Sequence, residues 1–143
     1  MATDYDKWDR LYRERSLKDL PWERGKPRES LVELVERGVI KKGKALDICC
    51  GAGTNAVYLA KKGFDVTGIE ISSKAIEYSK EKAKQANVNI NFLVKNFLEL
   101  PFEDEEFDFV FDSCCFHHVL VKDREKFIKG VHRVLKPRGK YFL

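Results

Sequence analysis

The chain has 143 residues, 43% of them hydrophobic and 35% charged, with a formal net charge of +4, a balance that suits one folded domain rather than a disordered segment. No apolar run is long enough to cross a bilayer, and the first residues lack the basic-then-apolar order of a secretory signal, so a cytoplasmic protein without membrane contact is expected. Charge is unevenly spread: residues 99–112 hold seven acids and no base, and residues 122–140 hold eight bases and two acids. The basic stretch reads as a solvated helix face, because no nucleic-acid recognition motif accompanies it. The four cysteines form two adjacent pairs, Cys49-Cys50 and Cys114-Cys115, without the C-x-x-C spacing of a zinc or redox site. A disulfide or metal between the pairs is conceivable if their strands are neighbours. The expectation is instead small buried side chains lining turns, and no metal, since cytosolic disulfides are rare.

Tyr5, Trp8, Leu11 and Tyr12 recur at helical spacing and predict a short amphipathic helix. Leu20-Pro21-Trp22-Glu23-Arg24-Gly25-Lys26-Pro27 breaks it, and Leu31, Leu34, Val35 and Val39 mark a second helix that ends before Lys41. From there the pattern alternates strand and helix. Ala45 to Ile48 reads as strand, and Asn55 to Lys62 as helix with Gly63 past its end. Phe64 to Glu70 reads as strand, followed by a helix capped by Ser72 or Ser73 whose inner face is Ala75, Ile76, Ser79, Ala83 and Ala86. Ile90 to Val94 alternates as a strand, while Phe107 to Phe111 is nearly all apolar, as a strand covered on both faces should be. Phe127, Ile128, Val131, Val134 and Leu135 form a helical stripe that Lys136-Pro137-Arg138-Gly139 stops, and Lys140 to Leu143 begins a fifth strand.

Five strands separated by helices imply an α/β fold, a doubly wound, mainly parallel sheet with helices on both faces. Its ligand site should lie outside the carboxyl ends of the strands, at the switch point. The chemistry-bearing residues fall there. Asp47 sits in the first strand, the turn Cys49-Cys50-Gly51-Ala52-Gly53 follows, and Glu70 closes the second strand, where it can accept two hydrogen bonds from ribose hydroxyls. A dinucleotide fingerprint would want glycines at Cys49, Gly51 and Thr54, so two of three fail and a nicotinamide cofactor is disfavoured. An acid at Asp47 would repel a pyrophosphate and suits a ligand that carries a cation. S-adenosylmethionine, with a sulfonium and ammonium at one end and a ribose at the other, has that chemistry.

The segments Leu46–Gly53, Val66–Ser72, Leu100-Pro101-Phe102, Phe107–Val110 and Arg133–Gly139 together resemble the class I S-adenosylmethionine-dependent methyltransferases. Leu20–Pro27 and Cys115-Phe116-His117-His118 are similar to the thiol, thiopurine and tellurite methyltransferase branch. The resemblance implies a Rossmann-like domain over 44–143, short at its C-terminus, and a helical cap or lid over 1–43, together one structural domain. It implies that the backbone of Cys49, Gly51 and Gly53, with Asn55 just beyond, approaches the methionine end, while Asp47 orders that loop near the ammonium. Glu70 would hold the ribose, Ile71 would lie against the adenine, and Asn96 with Phe97 would meet its amino edge. Asp112 would lie near the methionine amine. Trp22 would close over the cofactor, or simply pack in the core. Cys49 in place of the first glycine implies a turn that needs no positive φ there. Arg138, in place of a common glycine, implies a tolerated surface change.

Methyl transfer from a sulfonium is an in-line displacement, so alignment and exclusion of water matter most, with a base where the acceptor carries a proton. His117 and His118 are the candidates to contact the acceptor or take its proton, set against a packing or capping role. The expected activity is methyl transfer to a small molecule, for instance a thiol, with S-adenosylhomocysteine as product. The alternative is a non-catalytic or truncated cofactor-binding module that needs a partner or further C-terminal elements. An unpaired fifth strand also implies pairing of two copies through that edge.

Overall fold

A computed structural model describes residues 3–143; residues 1 and 2 of the expected cap segment lie outside the described residues. The strands are β1 (Lys44–Ile48), β2 (Asp65–Glu70), β3 (Asn91–Val94), β4 (Phe107–Asp112) and β5 (Leu135–Phe142). They form one sheet in the order β3-β2-β1-β4-β5, and every pairing is parallel, where the sequence implied a mainly parallel sheet. The chain winds outward from β1 through β2 to β3, then returns to the other side of β1 for β4. The crevice between β1 and β4 is therefore the switch point.

The helices cover both faces because each connection is a parallel crossover. On one face α2 (Glu29–Glu36), α3 (Thr54–Lys61) and α4 (Ser73–Gln85) bury Leu31, Val57, Leu59 and Ile76 against Ala45, Val66, Phe92 and Phe109. On the other, α5 (Arg124–Val134) packs Phe127, Val131 and Val134 against Leu46, Ile48, Ile69 and Val110. Each fully buried aliphatic or aromatic side chain contributes about 1.5–3 kcal/mol, so these two layers dominate stability. The apolar stripes match the sequence expectation except at their ends. Ile128 is 42% exposed on the solvent side of α5, and Val94 is 46% exposed at the sheet margin.

Two boundaries differ for physical reasons. The helix after the glycine turn starts at Thr54, one residue early, and Ser72 is the cap of α4, accepting from the Ala75 amide at 3.0 Å. The fifth strand begins at Leu135 rather than Lys140. Leu135 pairs with Phe107, then the chain loops out over 136–139 before Lys140 pairs with Phe109. Pro137 has no amide to give the ladder, and Arg138 takes φ 67°, so the strand carries a bulge there before its regular pairing resumes at Lys140.

The N-terminal segment lies across the carboxyl edge of the sheet. Its helix α1 (Lys7–Glu14) is fixed around its N-terminal turn. The Tyr5 hydroxyl donates to Asp123 at 2.7 Å, and Asp9 accepts from the Ser72 hydroxyl at 2.7 Å and the Lys74 amide at 3.2 Å at the start of α4. This places Trp8, Tyr12 and Trp22 over the strand ends.

Candidate functional site

A cleft lined by aromatic, acidic and backbone groups opens at the carboxyl ends of β1, β2 and β4. Of the residues singled out in the sequence, Trp22, Cys49, Gly51, Asn55, Glu70, Ile71, Phe97 and His118 line it. Asp47, Gly53, Asn96, Asp112 and His117 do not reach its wall, and each has a defined position nearby.

The loop between β1 and α3 is tightly wound. Cys49, Gly51 and Gly53 have φ of 59°, 56° and 84°. The expectation that cysteine at the first position signals a turn without positive φ is therefore wrong: Cys49 is held in the left-handed region at some conformational cost. Gly51 faces the cleft. Gly53 faces away from it, toward α4, and a methyl group there would fall 2.8 Å from the Ser79 hydroxyl oxygen and 3.1 Å from its Cα. Ser79, buried in α4, donates to the Gly51 carbonyl at 2.8 Å and braces the loop. So Gly53 serves loop packing rather than direct approach to a ligand.

The expectation of unlinked cysteines is also corrected. Cys49 and Cys115 form a disulfide across 66 residues, joining the loop after β1 to the loop after β4, because those strands are adjacent. Cys50 is buried and Cys114 exposed, both as free thiols. Burial, then the charge of Asp47, pushes the Cys50 thiol well above its ordinary value, so it is an inert packing residue.

Four carboxylates converge around the loop. Glu70, 7% exposed, accepts from the amides of Gly51 at 3.0 Å and Ser72 at 3.2 Å. Burial pushes its carboxyl up, and these amides oppose the shift. Asp112 accepts from the amides of Cys115 at 2.6 Å and Phe116 at 3.2 Å and from the Tyr141 hydroxyl at 2.7 Å, so it caps the turn after β4. Burial raises it as well. Asp47, 1% exposed, has no hydrogen-bond partner on either carboxylate oxygen. Burial first, then Asp112, Glu70 and Glu23, push it well above the usual carboxylate range. Glu23, on the N-terminal segment, accepts from the Tyr12 hydroxyl and from the Ala52 amide at 3.0 Å.

The remaining residues divide between wall and scaffold. Asn96 turns its Oδ1 to the Leu98 amide at 2.8 Å and caps a turn instead of lining the cleft. The Asn55 Oδ1 accepts from the Arg28 amide at 2.9 Å and so anchors the N-terminal segment while still lining the wall. Phe97 packs edge-on to Tyr5 with ring centres 4.8 Å apart. Trp22 meets Trp8 edge-on at 5.6 Å and donates from its indole to the Tyr12 hydroxyl at 2.8 Å, so it is part of the roof. His117 and His118 are both exposed to solvent; His118 packs on Trp8 at 4.8 Å and lines the cleft, whereas His117 lies outside it. Burial, with Lys7 and His117 adding to it, holds the His118 imidazole below its ordinary value.

Sequence reasoning missed Trp8, Tyr12, Glu23 and Arg28 as lining residues. Trp8 and Tyr12 were read only as a helical stripe. Glu23 stood next to Trp22 within a quoted motif, and its acid was the available signal. The guanidinium of Arg28 donates to Ser113 at 2.7 Å, a long-range contact with no mark in the sequence.

A family model described as "Methyltransferase domain" matches residues 45–139. The chain is 30% identical over 124 residues to the 2-heptyl-1-hydroxyquinolin-4(1H)-one methyltransferase of Mycobacteroides abscessus, covering 86% of this chain and 54% of that one. Among solved structures, it is similar to one described by the conversion of a disulfide bond into a thioacetal group during echinomycin biosynthesis. There the TM-score is 0.85 and the identity 34%, over 92% of this chain and 56% of that one. A SAM-dependent methyltransferase of Methanosarcina mazei matches at TM-score 0.69 and 35% identity, over 75% of this chain and 54% of that one. The chain spans about half the length of the curated relatives it matches.

Proposed function

The chain belongs to the S-adenosylmethionine-dependent methyltransferase family, and on that premise we propose that it transfers the cofactor's methyl group to a small-molecule acceptor, with a soft nucleophile such as a thiol foremost. One observation carries the reading. Asp47 is a buried carboxylate beneath the glycine loop, behind the wall of the cleft, with neither carboxylate oxygen hydrogen-bonded and no ion pair among the described residues. Such a group either keeps its proton or calls for a nearby cation, and the cofactor brings two positive centres.

The residues fit that group. Glu70, at the end of β2 and hydrogen-bonded to loop amides, would take the ribose hydroxyls, and Ile71 beside it would offer an apolar wall. Trp8 and Trp22 roof the cleft, and over a bound cofactor they would exclude water and so sharpen the charge interactions beneath them. The cofactor when bound supplies a methyl group already activated by the sulfonium. What the chain adds is alignment and, for a protonated acceptor, a base. His118 lines the cleft, where a neutral imidazole would be able to accept a proton from the acceptor. His117, outside the cleft, is unsuited to that role. The quinolone methyltransferase relative acts on a small heteroaromatic molecule, and the echinomycin-pathway likeness concerns sulfur chemistry; both support a small acceptor.

The test is transfer of a labelled methyl group from the cofactor to a panel of thiols and hydroxylated heteroaromatics. We expect transfer to at least one class. His118→Ala should lower kcat/KM by roughly tenfold or more, and His117→Ala should change it little. A second reading, a module that binds cofactor without turnover, takes its support from the chain's half-length match to its relatives. Binding without transfer to any acceptor would favour it.

A further inference from the structure

The Cys49–Cys115 bridge has no part in the reaction outlined above, yet it lies in the wall of the cleft. Both cysteines line it, Cys49 from the loop after β1 and Cys115 from the turn after β4, so the bridge spans the switch-point crevice with its Cα atoms 5.8 Å apart. The glycine loop has other ties, and they come from elsewhere. Gly51 is held by Glu70 of β2 and Ser79 of α4, Cys50 donates to the Ile69 carbonyl of β2, and Ala52 donates to Glu23. The bridge is the loop's covalent tie to the β4 side. Its arms are conformationally costly: Cys49 has φ 59° and Cys114, the neighbour of Cys115, has φ 72°, both in the left-handed region that a side chain disfavours. Such a backbone persists only where its surroundings hold it, and it is often kept where function needs it.

Resting on the cofactor reading above, we propose that the Cys49–Cys115 pair is a reversible redox site that sets cofactor affinity: the disulfide holds the glycine loop in its binding conformation, and reduction to two thiols releases it. The reductant is a low-molecular-weight thiol that enters the cleft. A first thiolate attacks the Cys49 sulfur and forms a mixed disulfide, while the electron pair of the broken bond leaves on Cys115, which takes up a proton. A second thiolate attacks the reductant's own sulfur in that mixed disulfide, and Cys49 leaves and is protonated in turn. The two reductant molecules end as their disulfide, having supplied two electrons, and the reverse exchange with a low-molecular-weight disulfide restores the bridge. Once released, Cys49 leaves the left-handed region, and the Gly51 amide moves with it away from Glu70.

Calorimetric titration of S-adenosylmethionine into bridged and dithiothreitol-reduced wild type reads the switch directly, with thiol counts on denatured samples verifying each state. The reduced protein should bind about tenfold more weakly, and re-oxidation with glutathione disulfide should restore the affinity. Cys115→Ser should bind as weakly as reduced wild type and ignore dithiothreitol, whereas Cys114→Ser should keep the response. The wild-type comparison stands even if a variant folds poorly. Equal affinity of the two wild-type forms, a loss that re-oxidation does not reverse, or a dithiothreitol response in folded Cys115→Ser overturns the switch while leaving the cofactor reading intact. Failure of both wild-type forms to bind the nucleoside overturns both.

Discussion

Asp47 shows how a single residue ties stability against function. Its carboxyl is pushed well up by burial and by neighbouring acids, so it holds its proton more tightly folded than unfolded. A raised carboxyl contributes stability that is fully present below the ordinary carboxylate value and is lost as pH rises through the folded value. Glu70 and Asp112 shift in the same direction. The cofactor-free protein should therefore melt at a progressively lower temperature as pH is raised from about 4 toward neutrality, on account of these three groups. Asp47→Asn removes the uncompensated charge and should raise cofactor-free stability by roughly 1–2 kcal/mol near pH 7, while weakening cofactor binding. Melting curves with and without S-adenosylmethionine check both halves. A variant that loses stability and keeps binding would show that Asp47 is structural.

Among the elements, α1 and α4 are joined by Asp9, which accepts from Ser72, Lys74 and Arg13. Burial works against its charge, but the donors from Arg13, Ser72 and Lys74 outweigh it and hold the carboxyl below its ordinary value. Here the sign is opposite to that of Asp47. This stability is present above the ordinary carboxylate value and is lost as pH falls through the lowered one. Asp9→Ala should cost about 1 kcal/mol at neutral pH, with the difference from wild type vanishing in acid, as thermal melts at several pH values would show. The elements themselves were legible because their periods are strong: the apolar run of β4 and the Ala75-Ile76-Ser79-Ala83 face of α4 appear where the pattern put them. Pairings across the sheet were not. Cys49 and Cys115 lie far apart in the chain, and only the adjacency of β1 and β4 brings them together. Thiol titration of denatured, unreduced protein should find two reactive cysteines, Cys50 and Cys114; four would remove the bridge.

For the molecule as a whole, the position of the cleft followed from strand order, because a doubly wound sheet leaves its crevice where the winding reverses. Its floor was legible too, since Gly51 and Glu70 are consecutive strand-end features. Its roof was not. Trp8, Tyr12 and Glu23 act there only through the docking of α1 on α4, which no local pattern encodes, and Asn96 and Asp112 spend their oxygens on turn amides that the sequence leaves invisible. Among the described residues β5 lies at the margin of the sheet, paired with β4. We propose that two copies of this chain meet along that edge, and sedimentation at micromolar concentration should show a dimer; a clean monomer would refute it.

Glu70 is where the account is most exposed, since the proposal assigns it the sugar of the cofactor. Calorimetric titration of S-adenosylmethionine into wild type and Glu70→Gln tests this directly. The account predicts a saturable heat for wild type and an affinity at least about tenfold weaker for the variant. No heat with wild type, or equal affinity in both proteins, would contradict it.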